Sequence, residues 1–364
     1  MVFGVGMLIS SQRYARLFKG EIETLRLRAL DQERTYGVRS LFASPVRLSG
    51  PVGSAVMAVP TPDEWKEEII EPLPRVYHNL LAWPDAHESR ALRDLNGNQN
   101  LIVFNETNHW KMRMVYEILF TRLETRHFVP GIVPDSGLYS EPGVYLAMRA
   151  RGPSDRRVAL LQSVDGRNFD YTLPAPRVRG SGSGQDLQAT LQSILSSRVL
   201  LVRLKDLPVG PDHLPVEWRV YLFRSSETGQ FTVAAGLAKR DILRMGSERE
   251  RCWRLRPALA ATFGSEASTL ESQVEESGLQ VVRALTLFLP GIAQIAVDFW
   301  MDPEGRLTLI GLVGCYRTDW MQRSGELQAQ RLLADHPVRF ARLLSRMGVK
   351  LHVDFDRAGS GIRA

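Results

Sequence analysis

The sequence predicts a mixed fold: an α/β unit over residues 1–128, an α+β region over 129–350 and a C-terminal tail over 351–364. Three observations lead there. Up to residue 128, short apolar runs alternate with segments of helical periodicity, as in strand–helix units. Beyond Pro130 the runs become short, β-prone and separated by turn residues, which is the pattern of antiparallel pairing. Near the end, residues 295–314 read as two strands joined by Asp302-Pro-Glu-Gly305, with proline placed to open a turn and glycine to close it.

Taken in order, residues 2–9 form an apolar first strand. A single helix is expected over 12–33, where Tyr14, Leu17, Phe18, Ile22, Leu25, Leu27 and Leu30 recur near helical spacing. Residues 40–48 read as a second strand that Pro45 would confine to a sheet edge, and 52–60 as another strand. Further strands are expected at 75–79 and 101–104, with a helix over 85–94 and a turn at Asn96-Gly-Asn98 between them. Asn105 or Thr107 is placed to cap a helix running to about residue 125, with Val115, Ile118, Leu119 and Leu123 on one face.

In the second region, strands are expected at 143–148, 158–163, 169–173, 200–204, 217–224 and 231–239. Helices are expected at 187–197, 268–289 and 337–347, and a frayed tail from 356. Residues 177–185 hold Gly180-Ser-Gly-Ser-Gly184. A phosphate-binding loop and a surface linker both fit such glycines; the linker is favoured because no strand leads into them and no Gly-Lys-Ser/Thr ending follows.

Composition excludes several classes. Apolar content of 44% and charged content of 24% are those of a globular protein. The chain carries 46 basic and 40 acidic residues, a net charge of +6. Only six of the basic residues are lysine, leaving 40 arginines, and these alternate with acids, as in Arg249-Glu-Arg251, so no basic tract points to nucleic acid. Two distant cysteines, Cys252 and Cys315, fit a reducing, cytoplasmic setting, and no cysteine–histidine cluster has zinc spacing. The N-terminus lacks a basic segment before its apolar run and reads as a buried strand rather than a signal peptide, and no apolar run is long enough to span a membrane.

Several fragments in fixed order resemble one family. They are Pro74-Arg-Val-Tyr-His-Asn79, Phe104-Asn105 with Lys111 beyond it, Phe128-Val-Pro-Gly131, Glu217-Trp-Arg-Val220, a strand ending at Arg240, and the hairpin that carries Asp298. Over nearly its whole length the chain resembles the YheC/YheD-like ATP-grasp proteins associated with bacterial endospore coats. The resemblance implies an N-terminal pre-ATP-grasp-like domain followed by a two-subdomain ATP-grasp-like domain that holds ATP and Mg²⁺ and joins a carboxylate to an amine through an acyl-phosphate. Such chemistry needs a lysine and a glycine-rich loop on the phosphates, oxygen ligands on the metal and an arginine on the acyl-phosphate.

Against the family pattern, the phosphate lysine is Ala147, and the covering loop is Arg149–Arg157, with one glycine and the donor-less Pro153. The hinge strand that meets the adenine edge is Leu200-Leu-Val-Arg203, and the metal-binding Glu and Asn are Gly311 and Val313. What remains is Lys111, Arg219 and Arg240 as vestigial nucleotide-binding candidates and Asp298 as a metal candidate. Each also has a plain structural reading: a solvated Lys111, ion pairs of Arg219 or Arg240 with Glu217 or Asp241, and Asp298 held by Arg219. His78 and His109 read as structural, and Cys315 as a buried, inert thiol.

The expectation is therefore a degenerate ATP-grasp protein with a structural or scaffolding role, spore-associated, without catalytic residues or a needed cofactor, and with other coat proteins or a second copy as partners. Two alternatives stand beside it. One is an active ligase in which the Arg149–Arg157 loop replaces the lysine and Asp298 with Glu217 holds the metal, using ATP and Mg²⁺. The other is a peptide- or protein-binding module that uses the old cleft.

Overall fold

The computed structural model describes residues 3–19, 22–48, 54–81, 85–98, 100–105, 112–132, 142–149, 157–165, 167–172, 179–183, 199–204, 210–211, 216–240, 251–289, 291–314 and 319–347. Among them, three sheets account for all the strands.

The first sheet comprises β1 (Phe3–Leu8), β2 (Val38–Ala43), β3 (Ala55–Pro60), β4 (Trp65–Ile70), β5 (Val76–Asn79) and β6 (Ile102–Phe104), in the spatial order β4-β3-β2-β1-β5-β6. β2, β1, β5 and β6 run parallel, and β3 and β4 extend one edge antiparallel. The parallel strands are short, apolar and buried on both sides, as this pairing requires. One side packs Val5, Met7, Val38, Phe42 and Val76 under α1 (Ser11–Leu17) and α2 (Glu23–Tyr36). The other packs Leu8, Leu41, Met57 and Tyr77 against Leu92 and Leu95 of α4 (Ala86–Gly97). Gly6 lies beneath the Tyr77 ring, in space that any side chain at position 6 would occupy. Asp85 caps α4 with a reciprocal pair of bonds, its side chain accepting from Glu88 N and Glu88 accepting from Asp85 N.

Several local expectations change. The helix expected over 12–33 is two helices, α1 and α2, so its apolar spacing spans a break. β2 stops at Ala43, and Pro45 opens a short helix, α3 (Pro45–Leu48), where its missing N–H is no loss. β2 consequently sits inside the sheet and not at its edge. β4 was not expected, because Lys66, Glu67 and Glu68 obscure its pattern. The next helix, α5 (Met112–Phe120), ends before Leu123, which is 75% exposed.

The second sheet is antiparallel throughout: β7 (Gly131–Ile132), β8 (Gly143–Arg149), β9 (Arg157–Ser163), β10 (Asn168–Thr172), β11 (Arg179–Ser183) and β12 (Val199–Leu204), ordered β11-β10-β9-β8-β12-β7. The glycines of 180–182 lie in β11, paired with β10, so this stretch is an edge strand rather than a linker or a phosphate loop. The expected helix over 187–197 lies outside the described residues.

The third sheet is also antiparallel: β13 (Glu217–Arg224), β14 (Phe231–Arg240), β15 (Arg251–Arg254), β16 (Gln294–Met301) and β17 (Leu307–Val313), ordered β15-β14-β13-β16-β17. On one side, Trp218, Val220, Val297 and Phe299 pack with α6 (Leu255–Phe263) and α7 (Ala267–Thr286). The same core reaches Val115 and Tyr116 of α5 and Leu146 and Val202 of the second sheet. On the other side, Tyr221, Leu237 and Ala296 meet Trp320 and Met321 of α8 (Asp319–Ser324) and Leu333 of α9 (Leu327–Met347). α9 starts at Leu327, ten residues before the expected Pro337, which stands inside the helix. Its Val338, Phe340 and Leu344 join the core of the first sheet. The expected tail from 356 lies outside the described residues.

Asn105 fastens the first sheet to the third. It adopts φ +65, a left-handed conformation that asparagine tolerates better than most side chains. Its backbone N donates to Gly291 O (2.7 Å), its Nδ2 donates to Gly314 O (2.8 Å), and its Oδ1 accepts from Gln294 N (2.9 Å). The side chain expected to cap a helix is therefore engaged in this junction.

Candidate functional site

The β16–β17 turn forms as expected. Asp302 Oδ1 accepts from the backbone N of Glu304 (3.0 Å) and Arg306 (2.9 Å), and Gly305 takes φ +77. This fixes the register that brings Asp298 opposite Gly311 and Ala296 opposite Val313. Alternation along a strand then decides what shares a face. Glu217, Arg219 and Tyr221 of β13 lie on the α8/α9 side, with Arg219 opposite Asp298 and Glu217 opposite Lys239 of β14.

On this face the charges are paired. Arg219 Nε donates to Asp298 Oδ1 (2.6 Å) and Arg219 Nη2 to Asp298 Oδ2 (2.7 Å), a two-pronged bond suited to the planar guanidinium. The two side chains are 4% and 0% exposed. Burial works against the charged guanidinium, but the Asp298 carboxylate outweighs it and holds the Arg219 pKa above its ordinary value. Beside them, Lys239 Nζ lies 2.7 Å from Glu217 Oε2, with the side chains 5% and 0% exposed. The Arg219 guanidinium stands 5.7 Å from the Tyr221 ring centroid, and Lys239 Nζ 5.9 Å from that of Trp320. Burial pushes the Tyr221 phenol up to about 12, partly offset by Arg219.

The arrangement has definite chemical consequences. Two carboxylates and two cations sum to no net charge, and each carboxylate has a buried cation within 3 Å. Mg²⁺ requires several oxygen ligands in near-octahedral geometry, and the strand facing Asp298 supplies Gly311 and, two residues on, Val313. Among the described residues, no three histidine, cysteine or acidic side chains gather in a way that could hold a metal ion. On the second sheet, Ala147, where the resemblance would expect a lysine, is fully buried in β8 and stands in register between Leu201 of β12 and Ala159 of β9.

Of the residues singled out in the sequence, Arg219 and Asp298 are thus brought together. Arg240 ends β14, paired in register with Arg251 of β15. Lys111 and residues 150–156 of the arginine-rich loop lie outside the described residues, as do His109 and Cys315. Glu217 pairs with Lys239 rather than with Arg219. Lys239 was missed as a site residue, although a lysine ending an apolar strand opposite a glutamate strand is a visible signal for a cross-strand pair.

No protein-family model matches the sequence, and no curated protein matches it. Solved structures do. The D-alanine-D-alanine ligase of Coxiella burnetii superposes with a TM-score of 0.51 at 10% identity, covering 95% of this chain and 97% of that one. The VanG D-Ala:D-Ser ligase of Enterococcus faecalis superposes with a TM-score of 0.50 at 9% identity, covering 94% of this chain and all of the other. Identity this low speaks for fold alone, and it does so over nearly the full length of each chain. The protein has the fold of the ATP-grasp ligases.

Proposed function

We propose that this is a degenerate ATP-grasp protein of the YheC/YheD type that no longer ligates and serves a structural or scaffolding role, in association with the spore. The observation that carries this reading is the state of Asp298: it is fully buried, bound at both oxygens by Arg219 and faced by Gly311. Recruiting it to a metal would leave the buried Arg219 guanidinium without its carboxylate, a cost of several kcal/mol. Ala147 at the phosphate-lysine position supports the same reading. Lys111, Arg219 and Arg240 are then remnants of nucleotide binding, and Arg219 has become a structural partner. The division into a pre-ATP-grasp-like unit over 1–128 and an ATP-grasp-like unit over 129–350 belongs to this proposal. So does a site among other coat proteins; no described helix is long and apolar enough to cross a membrane.

The test is turnover. The purified chain, with Mg·ATP and a broad panel of carboxylates and amines, is expected to release no ADP above the protein-free rate. Substrate-stimulated ADP release would overturn the proposal.

A further inference from the structure

A pocket of about 370 Å³ opens where the last turns of α9 pass the end of α2 and the β13–β14 turn. Val38, the first residue of β2, lies in its wall, so it stands at the amino end of the parallel strands. Open α/β sheets place their ligand clefts at the opposite, carboxyl end. Leu333 of α9 packs on the ion-paired sheet, and Arg346 at the pocket is thirteen residues further on, roughly 20 Å along the helix. The pocket is therefore separate from the face that carries Asp298.

Its charge is set by Arg339, Arg342 and Arg346, spaced three and four residues apart and so on one face of α9. Like charges at these spacings repel one another. The helix dipole favours cations only in the last turn, which accounts for Arg346 but not for all three. Arg339 lies 3.6 Å from Glu227, which is 81% exposed. Arg342 Nη1 donates to Tyr36 O (3.1 Å) at the end of α2, which fixes the guanidinium and leaves its other N–H groups for a ligand. Among the described residues, neither Arg342 nor Arg346 has an ion-pair partner, and the Ser226 hydroxyl, also in the wall, has no hydrogen-bond partner. Asp354 and Asp356, the acids that follow α9 in the chain, lie outside the described residues. Tyr36, Val38 and Leu343 give the pocket an apolar wall, and a hydrogen bond from Tyr36 Oη to Asp335 Oδ2 (3.0 Å) holds the ring.

We infer that this pocket binds a small organic phosphomonoester, with the phosphate between Arg342 and Arg346, a hydrogen bond from Ser226, and the organic body against Tyr36, Val38 and Leu343. Such a phosphate carries about −1.5 to −2 charge at neutral pH and three acceptor oxygens. That matches two guanidiniums and a hydroxyl, whereas a carboxylate brings one charge and two oxygens. The apolar wall selects an ester over free phosphate. The volume is within the range of small-molecule sites, roughly 300–1,000 Å³.

Calorimetric titration of the full chain with phenyl phosphate, and with benzoate and inorganic phosphate as controls, tests this. Phenyl phosphate is expected to bind at one site, about tenfold or more tighter than either control. Excess Mg·ATP, whose metal already bridges and neutralises its phosphates, is expected to leave that affinity unchanged. Arg342→Gln and Arg346→Gln, both at exposed positions that keep the fold, should each weaken binding about tenfold or more. Glu227→Gln, which removes the acid nearest Arg339, should strengthen it. Absence of phenyl phosphate binding, equal affinity for either control, displacement by Mg·ATP, or affinities unchanged in both arginine variants would overturn the inference. An affinity raised about tenfold by Asp354→Asn with Asp356→Asn would show that the chain's own acids fill the pocket, and would overturn it too. ADP release reports separately on the degenerate-ligase reading.

Discussion

Arg219 and Asp298 face each other across neighbouring strands and share two hydrogen bonds of 2.6 and 2.7 Å, sealed from solvent by the α8/α9 layer. A carboxylate in that position on an ATP-grasp hairpin is where a metal ligand is looked for, and here it neutralises a protein cation. Asp298→Ala strands a buried guanidinium and is expected to destabilise the fold by about 3–5 kcal/mol. The double variant Arg219→Met/Asp298→Leu removes both charges and is expected to lie within about 2 kcal/mol of the parent. Urea unfolding midpoints at constant m-value decide it; a single variant as stable as the parent would contradict the pairing.

The Glu217–Lys239 pair behaves in the same way. Lys239→Met leaves a buried carboxylate without its cation and should cost about 3 kcal/mol, and adding Glu217→Gln should recover part of that. A double-mutant cycle is expected to return a coupling of about 1–3 kcal/mol. Zero coupling would mean that the 2.7 Å contact contributes nothing to stability.

Asn105 is the third test. Asn105→Ala leaves Gly314 O and Gln294 N without their buried partners and puts alanine at a positive φ. A loss of about 2–4 kcal/mol is expected. Asn105→Gly relieves the backbone but not the lost bonds, and should fall between the two. Thermal unfolding followed by circular dichroism ranks the three.

Stability should fall with acid through two histidines. Burial lowers His78 to about 3 and His336 to about 4, while both return to the ordinary histidine range on unfolding. Below about pH 6.5 the unfolded chain takes up protons that the folded chain refuses, so stability is lost from there down toward the folded values. The slope is about 1.4 kcal/mol per pH unit per histidine, on the order of 2 kcal/mol each between pH 6.5 and 5. His78→Phe should flatten the profile by about one histidine's share. A profile unchanged by that variant would contradict the burial of His78.

Much of this was legible before the structure. The strand–helix order and the hairpin turn follow from alternation and turn chemistry, which act over a few residues, and the possibility that Arg219 holds Asp298 came from the residues that the family resemblance singled out. What stayed hidden depends on distant partners. Pro45 was placed in an edge strand because its role in opening α3 shows only once β2 ends at Ala43. The glycines of 180–182 looked like a loop, and the backbone of β10 makes them a strand. Asn105 has the residue type of a helix cap, and Gly314 and Gln294, some two hundred positions away, claim its side chain.

Calorimetric titration of Mg²⁺ with a nonhydrolysable ATP analogue into the parent protein and into Asp298→Ala tests the central claim most directly. The pairing of both Asp298 oxygens with Arg219 predicts no binding heat for either protein at micromolar concentrations. Tight binding to the parent that Asp298→Ala abolishes would show that Asp298 leaves Arg219 for the metal, and would contradict the claim.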